Sequence, residues 1–416
     1  MKITYRIISE IFLLISPLIV LYRILKGKES IRRFPERYAF NSNKRVKGNL
    51  IWFHCSSVGE LLSIIPIIEK MEKNNKINQI LITTTTLSSS IIFNNLNLEK
   101  TVHQFFPIDN KLIINKFLKY WKPTILFLCE SEIWPNLIDS INKNKVKLVL
   151  INARITLKSF NRWKQIKNFS NSIFDKFNLC LAQNKKTYKR LSVLGAKNVC
   201  YLGNLKFSSR RHINKDKMKT RLLNFFKNKK ILITAASTHF DEEKFILQNH
   251  LYFKKKFKKK RFISIIIPRH IERVGEIKKM IDKTSLKTHI HSNKRKVKSD
   301  TDIYLVDSYG ELDKFYKISK LVFMGGSLIN HGGQNPIEAA KLGCKIIYGP
   351  SFSNFTEIYK KLDNMKVSTM FKNYRQGTKI IENLIHKKHF VFDNKKLMKY
   401  GEKILSLTYL KIIKLI

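Results

Sequence analysis

The chain has 416 residues, 44% of them hydrophobic, and a formal charge of +50. That length and apolar content allow two domains with a sizeable core and exclude a disordered chain. The charge admits attraction to nucleic acid, anionic lipid or a phosphorylated substrate. However, the lysines are spread through the whole chain, with local clusters such as Phe253 to Lys260 (FKKKFKKK), as a compositional drift toward Lys, Asn and Ile would leave them. No zinc-finger spacing, RNA-binding signature or basic-zipper heptad accompanies them, so a nucleic-acid partner is not expected.

In chain order, the first element is the uncharged apolar segment Ile11–Tyr22 (IFLLISPLIVLY), preceded by Arg6 and Glu10 and followed by Arg23, Lys26 and Lys28. It falls short of the roughly 20 residues that span a bilayer, and no small-residue cleavage site follows it. Its basic flank suits a cytoplasmic anionic surface. A membrane-surface or signal-anchor helix is expected over residues 1–28, the alternative being a packed first helix of the domain.

From Leu50 the sequence alternates between apolar runs and helical or mixed segments. Leu50–His54, Ile80–Thr85, Ile125–Cys129, Lys147–Ile151, Leu179–Ala182 and Val199–Leu202 read as buried parallel strands. A second series comprises Ile231–Ala235, Phe262–Ile267, Ile303–Val306, Leu321–Met324 and Lys345–Tyr348. The fold class is therefore α/β, with two doubly wound domains. Their expected bounds are 29–208 and 209–390, the junction lying near Leu205–Lys217, and a helical tail covers 391–416. Two such halves suggest a cleft between them. The five cysteines are scattered without a CxxC pair, mostly in or beside apolar runs. They read as buried thiols in a reducing, cytoplasmic setting.

Several polar motifs sit directly after predicted strands, where open α/β sheets bind ligands. IWFHCSSVGE places Glu60 after the first strand. Ser57 and Glu60 have capping-box spacing, which would simply start a helix; in a cleft, the same carboxylate could take a proton from a hydroxyl. CESEIWPNL brings Glu130 and Glu132, INARIT brings Arg154, and GNLKF brings Lys206. In the second half AASTHFDEE, IIIPRH with Arg269 and His270, and DSYGEL follow strands. An arginine there suits a phosphate, because its fork donates two hydrogen bonds at once. The stretch Met324 to Pro350 runs from a strand through a glycine-rich loop into a helix opened by Asn335 and Pro336, with Glu338 in its first turn. The glycines would let the backbone approach a ligand, and the free N–H groups at the helix start would face an anion. Glu338 is either a cap partner or an acceptor for ribose hydroxyls.

Taken together, HCSSVGE, ESEIWPNL, INARIT, LAQN, LGAKN, GNLKF, ASTH, PRH, YGEL, GGS, GGQNPIEAA and GP with Asn354-Phe355 soon after resemble the bacterial 3-deoxy-D-manno-octulosonic acid (Kdo) transferases of lipopolysaccharide synthesis. The motifs run in order from the apolar helix to about Tyr359. The resemblance implies a GT-B glycosyltransferase with an N-terminal acceptor domain and a C-terminal donor domain. It would carry Kdo from CMP-Kdo to the lipid A precursor lipid IVA at the cytoplasmic face of the inner membrane, with inversion at the anomeric carbon. On that resemblance Glu60 is the general base, and Glu130 and Lys206 stabilise the transition state. Pro268, Arg269, Tyr309, Gly310, Glu311, Asn335, Pro336, Ile337 and Glu338 would bind CMP. Tyr309 stands where relatives often carry Met, and Cys55 and Gln334 are mild departures. No cofactor is implied, and no metal-ligand cluster is visible in the sequence. The competing readings are a GT-B enzyme acting on a UDP-sugar, including an epimerase, and a basic membrane- or nucleic-acid-binding protein on a degenerate enzyme fold.

Overall fold

The structure, a computed structural model, describes residues 1–209, 218–227, 231–257, 262–293, 295–386 and 394–416. Most of the expected junction (210–217) and the last residues of the FKKKFKKK cluster (258–260) lie outside them. The chain divides into two compact units, residues 1–210 with 400–416, and residues 211–399.

The first unit is built on a parallel sheet of β1 (Leu50–Cys55), β2 (Gln79–Thr84), β3 (Thr101–Phe105), β4 (Ile125–Cys129), β5 (Lys147–Ala153), β6 (Leu179–Ala182) and β7 (Val199–Tyr201). Its strand order is β3-β2-β1-β4-β5-β6-β7. β1, β2 and β4 are buried at every position. Helices covering both faces require this, and it explains why these strands read as unbroken apolar runs. Trp52 packs on Phe117, and Trp121 joins the same core. The order reverses between β1 and β4, so the loops after those two strands flank the crevice where such sheets bind ligands.

The second unit repeats the plan with β8 (Ile231–Thr238), β9 (Phe262–Pro268), β10 (Thr288–Ile290), β11 (Ile303–Leu305), β12 (Leu321–Met324), β13 (Lys345–Tyr348) and β14 (Ser368–Met370). The order is β10-β11-β9-β8-β12-β13-β14, again all parallel. Its switch point lies between β8 and β12. Phe245, Phe323 and Phe371 form the centre of its core.

Two helices complete the first unit from the ends of the chain. The N-terminal helix extends over Lys2–Leu25, well beyond the uncharged segment, because Lys2, Arg6 and Glu10 keep to its solvent-accessible surface. Among the described residues it is the one helix long and apolar enough to cross a membrane. The chain is membrane-associated through this helix, whose apolar side chains remain largely uncovered. The C-terminal helix, Lys395–Ile413, belongs to the first unit from Tyr400 onward. There Tyr400 packs edge-on against Phe207, and Gly401 lies so close to the Phe207 carbonyl that a Cβ would approach its oxygen to 2.1 Å. All cysteines except the half-buried Cys200 are buried.

Candidate active site

In the first unit, the residues after β1 and β4 meet around an acidic cluster. Ser57 caps the helix Val58–Glu72, accepting from the Glu60 N–H, and the Glu60 carboxylate reaches back to the Ser56 N–H (2.9 Å) and the Ser57 hydroxyl (3.0 Å). The capping box is thus real, and it does a second job by fixing the carboxyl at the sheet's carboxyl edge. Burial pushes the Glu60 pKa up to about 7, the nearby Glu130 and Glu132 carboxylates add to this, and the Ser56 and Ser57 hydrogen bonds oppose it.

Glu130 stands at a left-handed backbone position (φ 49°) directly after β4. Its N–H and C=O bond to Ile151 and Arg154, which clamp that conformation. Its side chain is buried and its carboxylate pairs with Lys206 Nζ at 2.6 Å; Asn152 Nδ2 donates to the same oxygen at 3.4 Å. Asn152, also left-handed (φ 51°), accepts from the Leu205 N–H. It thereby ties the end of β5 to the short turn Leu205–Phe207 that carries Lys206. Glu132 takes hydrogen bonds from Trp134 Nε1 (2.8 Å) and pairs with the fully buried His54 (3.2 Å), whose other ring nitrogen meets Thr83. Burial would raise the Glu132 pKa, but the bond and charge of His54, with Ser56 and Trp134, outweigh it and hold the group below the usual carboxylate value. Two neighbouring carboxyls are thus driven in opposite directions, one toward a base that works near neutrality and one toward a fixed anion. Arg154 contributes backbone here, its N–H to Glu130 and its C=O to Ser131.

In the second unit, the glycine-rich loop is organised from beneath by Glu242. This carboxylate, fully buried at the start of the helix Glu242–Lys256, accepts the N–H groups of His239, Gly326, Ser327 and Leu328 at 2.6–2.9 Å. The N–H groups of the glycines in this loop are likewise used within the protein. The N–H of Gly326 goes to Glu242, that of Gly332 to Ser351 and that of Gly333 to the Gly326 carbonyl. Gly325 is required for packing, since a Cβ there would come within 2.3 Å of the Ser237 carbonyl oxygen.

Above this floor lies a basic, aromatic group. His239, after β8, lies 4.2 Å ring to ring from His331 and 5.8 Å from His270, and its Nε2 is 3.2 Å from Gln334. Burial lowers the His239 pKa to about 4, helped by His331, His270, Arg273 and Arg269, so the ring is neutral at physiological pH. Arg269 is exposed at the tip of β9 and held by its N–H to the Thr238 carbonyl, while Arg273 is spent on a two-pronged bond to Glu243. Pro268 ends β9. Tyr309 is exposed with its hydroxyl on Glu272, Gly310 is left-handed, and Glu311 binds Lys314. The Asn335 side chain accepts from the Ile337 N–H, and the short helix Ile337–Lys341 follows Pro336. Glu338 keeps contact with solvent, yet the dense protein around its carboxyl and the nearby Asp313 raise its pKa, with Lys341 opposing.

The structure therefore brings Glu60, Glu130 and Lys206 together in one unit. In the other it gathers Arg269, His270, His331 and Gln334 around His239, with Tyr309 bonded to Glu272 and Glu338 beside Asp313. Sequence reasoning did not single out His54, Asn152, His239 or Glu242. The acidic run after ASTH held the signal for Glu242, but only the fold separates it from Asp241 and Glu243. Among the described residues no group of His, Cys, Asp and Glu has the arrangement of a metal site.

Comparison with known proteins agrees with this architecture. Residues 32–209 match the family model described as 3-deoxy-D-manno-octulosonic-acid transferase (kdotransferase). The 3-deoxy-D-manno-octulosonic acid transferase of Rickettsia bellii is 33% identical over 98% of this chain and 98% of its own. A probable mitochondrial 3-deoxy-D-manno-octulosonic acid transferase of Arabidopsis thaliana is 32% identical over 86% of this chain and 82% of its own. Among solved structures, the UDP-GlcNAc 2-epimerase of Neisseria meningitidis bound to UDP-GlcNAc superposes with a TM-score of 0.58 over 88% of this chain and 99% of that one. At 13% identity that likeness concerns the fold alone, the two-unit GT-B architecture. With relatives at 32–33% identity matched over most of both chains, the chain belongs to the 3-deoxy-D-manno-octulosonic acid transferase family.

Proposed function

We propose that this glycosyltransferase moves Kdo from CMP-Kdo to the lipid A precursor lipid IVA, working at the cytoplasmic face of the inner membrane. The observation that carries the mechanism is Glu60, a carboxyl with a pKa near 7 held by its own helix start beside the Glu130–Lys206 pair. In its ionised form Glu60 removes the proton from the acceptor hydroxyl. The freed oxygen pair forms the bond to the anomeric carbon of Kdo. The bond from that carbon to the phosphate oxygen breaks on the opposite side, inverting configuration, and CMP leaves with the electron pair. Lys206, held by Glu130, and Arg269 supply fixed positive charge for the developing phosphate anion. Pro268, Tyr309–Glu311 and Asn335–Glu338 bind the nucleotide.

Incubation with CMP-Kdo and lipid IVA, followed by mass analysis of the lipid, is the test. A mass increase of one or more Kdo residues is expected. A folded enzyme that binds UDP in preference to CMP and leaves lipid IVA unchanged would overturn the assignment.

A further inference from the structure

The N-terminal helix presents two faces with incompatible demands. Its inner face is polar and docked on the first unit. The Tyr5 hydroxyl donates to Asp109 (2.7 Å), Asn136 donates to Ser9 (3.1 Å), Ser16 shares a hydrogen bond with Tyr38 (3.0 Å), and Lys2 and Arg6 face Asp139. Ser9, Ser16 and Val20 are buried in this contact. Its outer face is apolar and uncovered: Ile7, Leu14, Leu18 and Leu25 fall on one side, and Leu14 is 80% exposed. Glu10, the acid on this helix, lies at the flank of that face, roughly 60° from its centre at about 100° per residue.

Length alone would permit crossing, since 24 residues give about 36 Å against a hydrocarbon core of ~30 Å. The inner-face contacts decide otherwise. From Lys2 to Ser16 they occupy about 21 Å of the axis. A crossing helix would have to break them or draw their partners into hydrocarbon, where polar groups lose water without replacement. Asp109 cannot follow, because its carboxylate also accepts the Asn136 and Leu137 N–H groups at the start of the helix Pro135–Lys143. Both ends carry cations. Lys2 and Arg6 sit at one end, and Arg23, Lys26 and Lys28, followed by Arg32, Arg33 and Arg37, at the other, the larger share being C-terminal. Both basic ends suit one plane of anionic headgroups, with long side chains reaching up to phosphate.

We propose that the helix Lys2–Leu25 lies in the plane of an anionic phospholipid bilayer, its outer face among the acyl chains and its inner face still docked on the first unit. The enzyme is then a one-sided membrane protein, whose first unit is held flat against the surface that supplies its lipid acceptor.

The test uses the full chain with Cys200→Ser, since the other cysteines are buried, and adds Lys2→Cys or Lys28→Cys one at a time. An impermeant maleimide is applied to inside-out inner-membrane vesicles and to intact spheroplasts of an expressing bacterium. In-plane binding puts both ends on one side: both positions label in one preparation and neither in the other. Labelling of one position in each preparation would establish a crossing helix and overturn the proposal. As a second measurement, Leu14→Glu with Leu18→Glu is expected to abolish co-sedimentation with phosphatidylcholine vesicles containing phosphatidylglycerol, with an unchanged circular dichroism spectrum. Retained co-sedimentation, with loss of a dimer in vesicle-free solution, would show that a second copy covers this face instead.

Discussion

Replacing Glu60 with glutamine separates catalysis from stability, and the structure gives the size of each effect. A carboxyl raised from 4.5 to about 7 in the folded chain is bound to its proton more tightly there than in the unfolded chain. Its contribution to stability is complete below the unfolded value and is lost as pH rises through the folded one. The full span corresponds to about 3 kcal/mol, and since Glu60 is partly open to solvent, about 1–3 kcal/mol is the working range. Glutamine does not ionise, but it cannot serve both Ser56 N–H and Ser57 as the carboxylate does, which costs about 1 kcal/mol at every pH. Glu60→Gln is therefore expected to be slightly less stable than the parent at about pH 4, and as stable or more stable at about pH 8. Transfer by the variant should fall about 10²–10⁴-fold, as loss of a general base requires. Urea unfolding of both proteins across this pH range, beside the transfer assay, reads both quantities. If the stability difference between variant and parent did not change with pH, the raised pKa would be refuted. An undiminished transfer rate would refute the base.

Four further perturbations follow from the same geometry. Lys206→Met leaves the buried Glu130 carboxylate uncompensated and should cost about 3 kcal/mol in urea unfolding; adding Glu130→Gln should recover most of it, and strict additivity would deny the pair. Glu242→Gln turns an acceptor of four N–H groups toward them as a donor on one side, so calorimetry should show weaker CMP binding and unfolding a loss of about 3 kcal/mol. Gly325→Ala must push the loop off the Ser237 carbonyl and should cost about 1–3 kcal/mol, read as a drop in Tm. Gly310→Ala meets no neighbouring atom and carries only the strain of its left-handed backbone, about 1 kcal/mol.

The long apolar runs announced the inner strands of both sheets because parallel strands covered on both faces need side chains that are apolar at successive positions. β3, β10 and β14 escaped notice for the same reason inverted. THI and STM are short, and TVHQF carries His103 and Gln104, whose polar groups find Thr84 and Trp121 as partners. Glu60, Glu130 and Lys206 were legible as residues after strands, and their roles came from family resemblance. What could not be read was their mutual arrangement. His54 and Glu132 are far apart in the chain and meet only because β1 and β4 are neighbours in the sheet. The glycine-rich loop was legible as a loop, but its support was not, because nothing in its own sequence reveals that a carboxylate from an earlier strand–helix junction fills the space beneath it.

The contact of Tyr400 and Gly401 with the Phe207 turn has a consequence for synthesis. The residues that wedge Lys206 into place leave the ribosome only after the whole of the second unit has been made. Until then the first sheet can pair its strands, but the turn bearing Lys206 has no backing. Nascent chains are thus born without a finished site, and assembly of the first unit depends on a contact of very long sequence separation, the kind that forms late and slowly.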